Sequence, residues 1–343
     1  MPARPSRSKT WCSRHDCRHF HSPDSIRNLM KIIDTESTRR ALPFDRLIPA
    51  LREMFIAGCE VPLRHTHSLQ AGKDAAPRTV LVMPAWQHDR YLGIKTVTIF
   101  PDNAQRGLPG LFSTYVLYDA RTGEPLAQID GNEITSRRTA AASALAASYL
   151  APADTRSLLV VGCGRVGSLI PEAYRAVRPI ERVVVWDRDE SAAKALAARL
   201  CEQNIEAAVA PDLAQAMNDV DIVSCATLAT QPVVQGAWLR PRSHLDLIGS
   251  FTPQMREADD ACFAGARLFV DTQEALQKSG ELLGPLSRGV FAADDVAGEL
   301  ADLAAGRIQG RVERDGRTVF KAVGTALEDL AAAVVVYEAS NSN

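Results

Sequence analysis

Between residues 42 and 58 the apolar side chains Leu42, Phe44, Leu47, Ile48, Leu51, Met54 and Phe55 recur every three or four positions with polar residues between them, which predicts an amphipathic helix. From about 79 to 130 the pattern changes. TVLVMPAW, YLGIKTVTIF, FSTYVLYD and PLAQIDG are short runs rich in Val, Ile, Thr and Tyr, parted by the turn clusters PDNAQRGLPG and ARTGEP. Such runs predict a mostly antiparallel sheet. ITSRRTAAASALAASYLA, 134 to 151, has the Ala and Leu content of a helix with a small-residue face for close packing. A boundary is expected at Pro152 to Arg156. Beyond it the apolar runs SLLVVG, RVVVWD, VDIVSCA, HLDLIGS and ARLFVD alternate with helical stretches such as AAKALAARLCEQ. That alternation predicts βαβ units and a parallel sheet. The tail, TVFKAVGTALEDLAAAVVVYEAS, has a strand-like start followed by a long apolar helix, and is expected to pack back on the first unit.

These elements predict an α/β protein: a doubly wound parallel sheet over 153–317, and a discontinuous α+β domain over 30–152 completed by 318–343. A chain of 343 residues is long enough for two such cores. Its 46% hydrophobic and 23% charged residues and formal charge of -2 give no electrostatic reason to expect nucleic acid or membrane as a partner. The cysteines at 12, 17, 59, 163, 201, 225 and 262 are odd in number and lack CxxC pairing, which favours a reducing cytoplasm. No run of eighteen apolar residues occurs, and the N-terminus lacks the apolar segment of a signal peptide, so a soluble, unexported protein is expected. Residues 1–29 are rich in Arg, His, Ser and Pro without amphipathic period and read as a disordered extension, with Met30 opening a more natural beginning. Cys12, His15, Cys17, His19 and His21 are zinc-ligating types, but no second ligand pair follows at a usual spacing, and no metal site is expected.

Gly162-Cys163-Gly164-Arg165-Val166-Gly167 has the GxGxxG spacing, which alone is a weak signal. Here it follows an apolar strand, opens a helix through LIPEAYRAV, and is followed by a strand ending in Asp187, twenty residues after the last glycine. This is the order of a dinucleotide-binding Rossmann unit: Gly162 for the tight turn, Gly164 for close approach to the pyrophosphate, Gly167 for helix packing. Asp187 is expected to accept hydrogen bonds from the adenosine ribose and to favour NAD. Arg188, one residue later, has the chemistry to pair with a 2′-phosphate and leaves NADP open. Ala226-Thr227 and Gly249-Ser250 end the fourth and fifth strands on the edge where the nicotinamide half is expected.

The first domain offers fixed cations of the kind that orient a carboxylate: Arg64 in VPLRHTH, Lys95 in GIKTVTIFPDN, and Arg137 with Arg138 at the head of the Ala-rich helix. A lysine inside an apolar strand calls for a partner to its ammonium.

In order along the chain, VPLRHTH, MPA at 83 to 85, GIK followed by PDN, TGEPLAQIDGNEITSRRTAAASALAA, GCGRVG, IGSFTPQMRE at 248 to 257, VD, SGEL and VFKAVGTALEDLAAA resemble the ornithine cyclodeaminase and mu-crystallin family over about residues 31 to 338. The resemblance implies a Rossmann domain, a second domain that dimerises through its sheet, and a substrate between the two. It places carboxylate binding on Arg64, Lys95 and Arg138, and cofactor roles on the glycine turn with Arg165 and Val166, on Asp187 and on Thr227; Gly249 and Ser250 are expected on the cofactor side as strand ends, and Met83 and Phe251 are expected to border the substrate. The cyclodeaminases it resembles carry an aspartate where this chain has Phe251. A phenyl ring accepts no proton, so the base for ornithine cyclisation is missing there. The resemblance therefore implies NAD(P)H-dependent reduction of a cyclic imino acid, Δ1-pyrroline-2-carboxylate to L-proline, with room for the six-membered piperideine homologue, by a cytoplasmic homodimer. A cyclodeaminase, an alanine-type dehydrogenase and a non-catalytic binding protein like mu-crystallin are the competing readings.

Overall fold

The computed structural model describes residues 29–69, 78–312 and 316–341. Residues 1–28 of the extension expected to be disordered over 1–29, with its zinc-ligating residue types, lie outside the described residues.

The first unit runs β1 (Lys31–Ile33), α1 (Thr35–Ala41), α2 (Phe44–Ala57), β2 (His65–Leu69), β3 (Arg78–Trp86), β4 (Tyr91–Ile99), β5 (Leu111–Asp119), β6 (Pro125–Asp130) and α3 (Gly131–Leu150). Its sheet has the order β1-β6-β5-β4-β3-β2; β1 pairs parallel with β6 and every other neighbour is antiparallel. The expected stripe on α2 is the buried one: Phe44, Leu47, Ile48, Leu51, Met54 and Phe55 all face the core. Gly58, at φ 73°, ends this helix by turning its N–H back to the Met54 carbonyl. α3 begins three residues earlier than its composition indicates, because Asp130 caps it by accepting from the Glu133 N–H at 2.9 Å.

The second unit runs β7 (Ser157–Val161), α4 (Ile170–Arg175), β8 (Arg182–Trp186), α5 (Glu190–Glu202), β9 (Glu206–Val209), α6 (Leu213–Asn218), β10 (Ile222–Cys225) and β11 (His244–Leu247). It continues through β12 (Arg267–Val270), α7 (Ala275–Lys278), α8 (Gly280–Ser287), β13 (Val296–Glu299), α9 (Leu300–Ala304) and β14 (Thr318–Lys321), and the chain closes with α10 (Ala326–Asn341). All eight strands are parallel, in the order β13-β12-β14-β11-β10-β7-β8-β9. The strand order reverses between β7 and β10, the crevice where doubly wound sheets hold ligands.

Two expectations need correction. The strand-like residues 318–321 do not join the sheet of the first unit; β14 is inserted between β11 and β12, where it touches α3, and α10 packs on α2, α3, β3 and β4. A strand buried at every position suits the middle of a parallel sheet, not an exposed edge. The helix after the glycine turn is also shorter than LIPEAYRAV implies. Pro171 brings no N–H to the first turn, so the chain passes through a 3₁₀ turn over Gly167–Leu169 before α4 begins.

The two units are joined by buried polar groups as well as by apolar packing. Asp246 on β11 accepts from Ser143 of α3 at 3.0 Å, Tyr174 of α4 at 2.8 Å and Ser224 of β10 at 2.6 Å. Burial pushes this carboxyl up to about 6, against the lowering effect of the three hydroxyls. Among the described residues no helix is long and apolar enough to cross a membrane.

Leu51 is fully buried on the face of α2 toward the shared core. Leu51→Ala is expected to cost about 3 kcal/mol, measured as a fall in the midpoint of urea unfolding.

Candidate functional site

On the inner face of the first sheet, Met83 of β3, Lys95 of β4, Tyr115 of β5 and Ile129 of β6 form one row across the strands. All four are buried, and Lys95 retains only 2% exposure. An ammonium in such a row needs an anion. Asp329 of α10 provides it: its Oδ2 lies 2.5 Å from Lys95 Nζ, which also donates to Thr135 Oγ1 at 3.3 Å.

The same carboxylate holds a second cation. Arg138 Nε donates to Asp329 Oδ1 at 2.9 Å, and Arg138 Nη1 donates to Glu328 Oε2 at 2.5 Å. Arg64 joins from the segment before β2, its Nη2 3.3 Å from the Gly324 carbonyl and 3.6 Å from Glu274 Oε2. Gly324, at φ 76°, lies directly under Arg138: a Cβ there would meet the guanidinium at 2.2 Å. The N–H groups of Val323 and Gly324 both donate to Asp271 Oδ2, at 2.7 and 2.6 Å, so the end of β12 fixes the loop between β14 and α10. Three of the expected cations therefore converge where the two units meet.

Arg137 does not join them. Its Nε donates to the Leu42 carbonyl, Nη2 reaches Glu172, and its guanidinium lies 4.4 Å from the centre of the Phe44 ring. One residue along a helix turns a side chain by about 100°, which separates this structural arginine from its neighbour.

Burial pushes Lys95 down to about 8, with Arg138 and Arg64 acting in the same direction and Asp329 opposing. Burial opposes the charge on Arg138 as well, but Asp329 and then Glu328 hold the guanidinium above its ordinary value. Burial likewise works against the Asp329 charge, and Lys95 and Arg138 overcome it and keep that carboxyl low. Glu328 rises to about 7 because burial outweighs its bond to Arg138.

The glycine turn lies at the carboxyl end of β7. Gly162 has φ 97°, and a Cβ on Gly167 would lie 1.8 Å from the Gly162 carbonyl oxygen, so the turn closes tightly on itself. Gly164 is the reverse: nothing lies within 4 Å of where its Cβ would be, leaving an open face beside an exposed Arg165 and a half-buried Val166. Asp187 accepts from the Cys163 N–H at 2.7 Å and the Asp189 N–H at 2.9 Å. A carboxylate has about four acceptor positions, so it keeps capacity for ribose hydroxyls. Arg188 is exposed next to it. These residues fit a dinucleotide: Gly164 leaves open space of the kind a pyrophosphate needs, and Asp187 keeps acceptor positions of the kind a ribose needs.

Thr227 and Gly249 are tied together by Glu257, the last residue of the IGSFTPQMRE motif, to which the sequence pattern assigns no role. Glu257 Oε1 accepts from the Thr227 N–H at 2.7 Å and its hydroxyl at 2.9 Å, while Oε2 accepts from the Gly249 N–H at 2.7 Å. The Ser250 hydroxyl donates to the Met255 carbonyl at 2.6 Å and lies 3.1 Å from the Ser279 hydroxyl. Thr227 and Ser250 thus spend their hydroxyl protons within the protein, which shapes the loop ends. Phe251 is 48% exposed on the next residue, and Leu228, after Thr227, is 78% exposed. Asp329 and Glu328 were also missed, although an adjacent Glu-Asp pair inside the apolar run of α10 is the signal that finds them.

The chain matches the family model of the ornithine cyclodeaminase/mu-crystallin family over residues 48–343. A Delta(1)-pyrroline-2-carboxylate reductase of Colwellia psychrerythraea is 36% identical over 313 residues, 90% of this chain and 99% of that protein. The solved Delta(1)-pyrroline-2-carboxylate reductase of Thermococcus litoralis, in complex with NADH and L-proline, superposes with a TM-score of 0.85 at 31% identity, covering 91% of this chain and 98% of that one. An archaeal alanine dehydrogenase dimer with bound NAD superposes with a TM-score of 0.84 at 30% identity, covering 91% and 96%.

Gly324→Ala is expected to lower the thermal midpoint by several degrees, because it both strains a left-handed backbone and displaces the Arg138 guanidinium; differential scanning calorimetry measures it. With this architecture, and with the family match extending to the last residue, the chain belongs to the ornithine cyclodeaminase/mu-crystallin family.

Proposed function

We propose that this protein reduces a cyclic imino acid, Δ1-pyrroline-2-carboxylate to L-proline, using a reduced nicotinamide dinucleotide, with Δ1-piperideine-2-carboxylate to L-pipecolate as its six-membered counterpart. The observation that carries this reading is the convergence of the buried Lys95 and Arg138 with the half-buried Arg64 at the border with the dinucleotide unit. A full-length relative named for this reaction supports it.

Each cation has capacity left for substrate. Arg138 makes no hydrogen bond through Nη2 among the described residues, and Arg64 keeps most of its fork of donors. The two would bind the carboxylate as charge-assisted donors. Lys95 has three hydrogens and two protein partners. Its remaining N–H would serve the imine nitrogen, giving up a proton as that nitrogen becomes an amine and regaining one from solvent. Bound NADH supplies the hydride, and the sum is imine plus NADH plus a proton giving amine and NAD+. Asp187, directly after β8, would favour NADH by repelling a 2′-phosphate, while the exposed Arg188 has the chemistry to pair with one and leaves NADPH open. Met83, beside Lys95 in the sheet row, and Phe251, at the end of the Gly249 loop, would border the ring. Phe251 brings no carboxylate to handle a side-chain amine, which weighs against cyclodeamination.

Likeness to an archaeal alanine dehydrogenase gives a second reading, oxidation of alanine through the same cations. Net formation of NADH from alanine would select it.

The protein would act as a homodimer. Leu92 and Ile94 of β4 and Phe112, Val116 and Tyr118 of β5 lie on the sheet face away from α2, α3 and α10 and are partly or well exposed, and β2 is exposed at every position. An apolar sheet face with an open edge suits a second copy of the chain. Its described cysteines, Cys59, Cys163, Cys201, Cys225 and Cys262, are free, in keeping with the cytoplasm as its place.

Purified protein with Δ1-pyrroline-2-carboxylate should consume NADH, followed by the loss of its absorbance; no consumption with NADH or NADPH at neutral pH would remove this function. Since the ammonium form of Lys95 is the proton donor, kcat/KM should fall as pH rises through about 8. Lys95→Met should lower kcat/KM by about 10²-fold or more. Sedimentation equilibrium should return twice the chain mass, and a monomer at micromolar concentration would contradict the dimer.

A further inference from the structure

Asp329 is fully buried, sits on a helix of the opposite chain end from the strand bearing Lys95, and contacts two cations with its two oxygens, Lys95 through Oδ2 and Arg138 through Oδ1. A carboxylate needed only to neutralise one lysine would not have to face both. Its neighbour Glu328 takes the far end of the same guanidinium through Nη1, so Arg138 is gripped at Nε and Nη1. That grip leaves Nη2 for an incoming anion. Lys95 is held in the same way, with Asp329 on one side and Thr135 on the other.

Resting on the imine-reductase reading, we infer that Asp329 is a positioning residue of the reaction: from behind the site it holds the Lys95 ammonium and the Arg138 guanidinium in one fixed arrangement. Arg138 then meets the carboxylate and Lys95 the ring nitrogen of the same small substrate. Asp329 does not touch substrate in this arrangement. It acts through the two cations, and α10 is the arm that carries it across from the end of the second sheet.

The electrostatics agree with the geometry. The groups that bear on Lys95 are Asp329 from α10, Arg138 from α3 and Arg64 from the segment before β2; the buried Tyr115 lies beside it on β5, while Glu328 and Asp271 face Arg138. Of these, Asp329 is the anion that counters the effect of burial on Lys95. Without its charge the ammonium would release its proton at lower pH. Glu328 has no such hold on Lys95, because its bond is to Arg138 alone.

The test compares Asp329→Asn, Asp329→Glu and Glu328→Gln in the full chain, with folding confirmed by NADH fluorescence and thermal unfolding. In Asp329→Asn the alkaline limb of the kcat/KM profile should move to lower pH by on the order of one unit, and KM for the imine should rise. Asp329→Glu, which keeps the charge but shifts it, should return the limb to the wild-type position while KM stays raised. Glu328→Gln should leave the limb in place and raise KM. A wild-type limb in folded Asp329→Asn, with loss of thermal stability as its main effect, would overturn the inference. Should Asp329→Asn not fold, Asp329→Glu and Glu328→Gln decide: a limb displaced in Asp329→Glu, or moved as far by Glu328→Gln, overturns it, and limbs in place with raised KM support it. A wild-type protein that does not reduce the imine would instead remove the function itself, so the two failures are distinct.

Discussion

The buried Asp329 carboxylate is shared by two buried cations, Lys95 and Arg138, and neutralises both from a single position. Two cations cannot be buried side by side without anions, and breaking a buried pair by removing one partner costs about 3–5 kcal/mol. The chain supplies those anions from its far end: Glu328 and Asp329 come on α10, after the chain has built and left the second sheet. The first unit therefore cannot complete its charged interior until the last helix returns. This makes the discontinuity of that unit a requirement of its chemistry as well as of its packing.

The loop before α10 carries the same constraint toward the dinucleotide unit. Asp271 at the end of β12 binds the N–H groups of Val323 and Gly324, and the Gly324 carbonyl faces Arg64. On the other side of the sheet's carboxyl edge, Glu257 binds the ends of β10 and β11 through Thr227 and Gly249. Buried carboxylates thus fix both halves of the crevice. They are satisfied mainly by backbone N–H groups, which shift little, and so the apolar and glycine-rich surfaces between them are held to one shape.

Much of this was legible in the sequence. The three- and four-residue period of α2 and the six-residue apolar runs of the second unit reflect simple burial patterns, and both gave the right element type. Lys95 stood out because an ammonium in an apolar strand needs explanation, and Arg64 and Arg138 through the resemblance to a family. What was not legible depends on partners distant in sequence. The strand at 318–321 looks the same whether it borders one sheet or fills the centre of another, and only the open edges of β11 and β12 decide it. Asp329 lies 234 positions after Lys95 by their residue numbers, and Glu257 acts on backbone amides, which leave no trace in side-chain pattern.

In the proposed reaction Lys95, Arg138 and Arg64 of the first unit present an anionic C=N compound to a nicotinamide held by the second. A crystal structure of the protein with NAD+ and L-proline tests it most directly. The proline carboxylate is expected within hydrogen-bond distance of Arg138 and Arg64, with the ring nitrogen beside Lys95 Nζ. Proline bound elsewhere, or seated in the crevice with its carboxylate away from these cations, would contradict it.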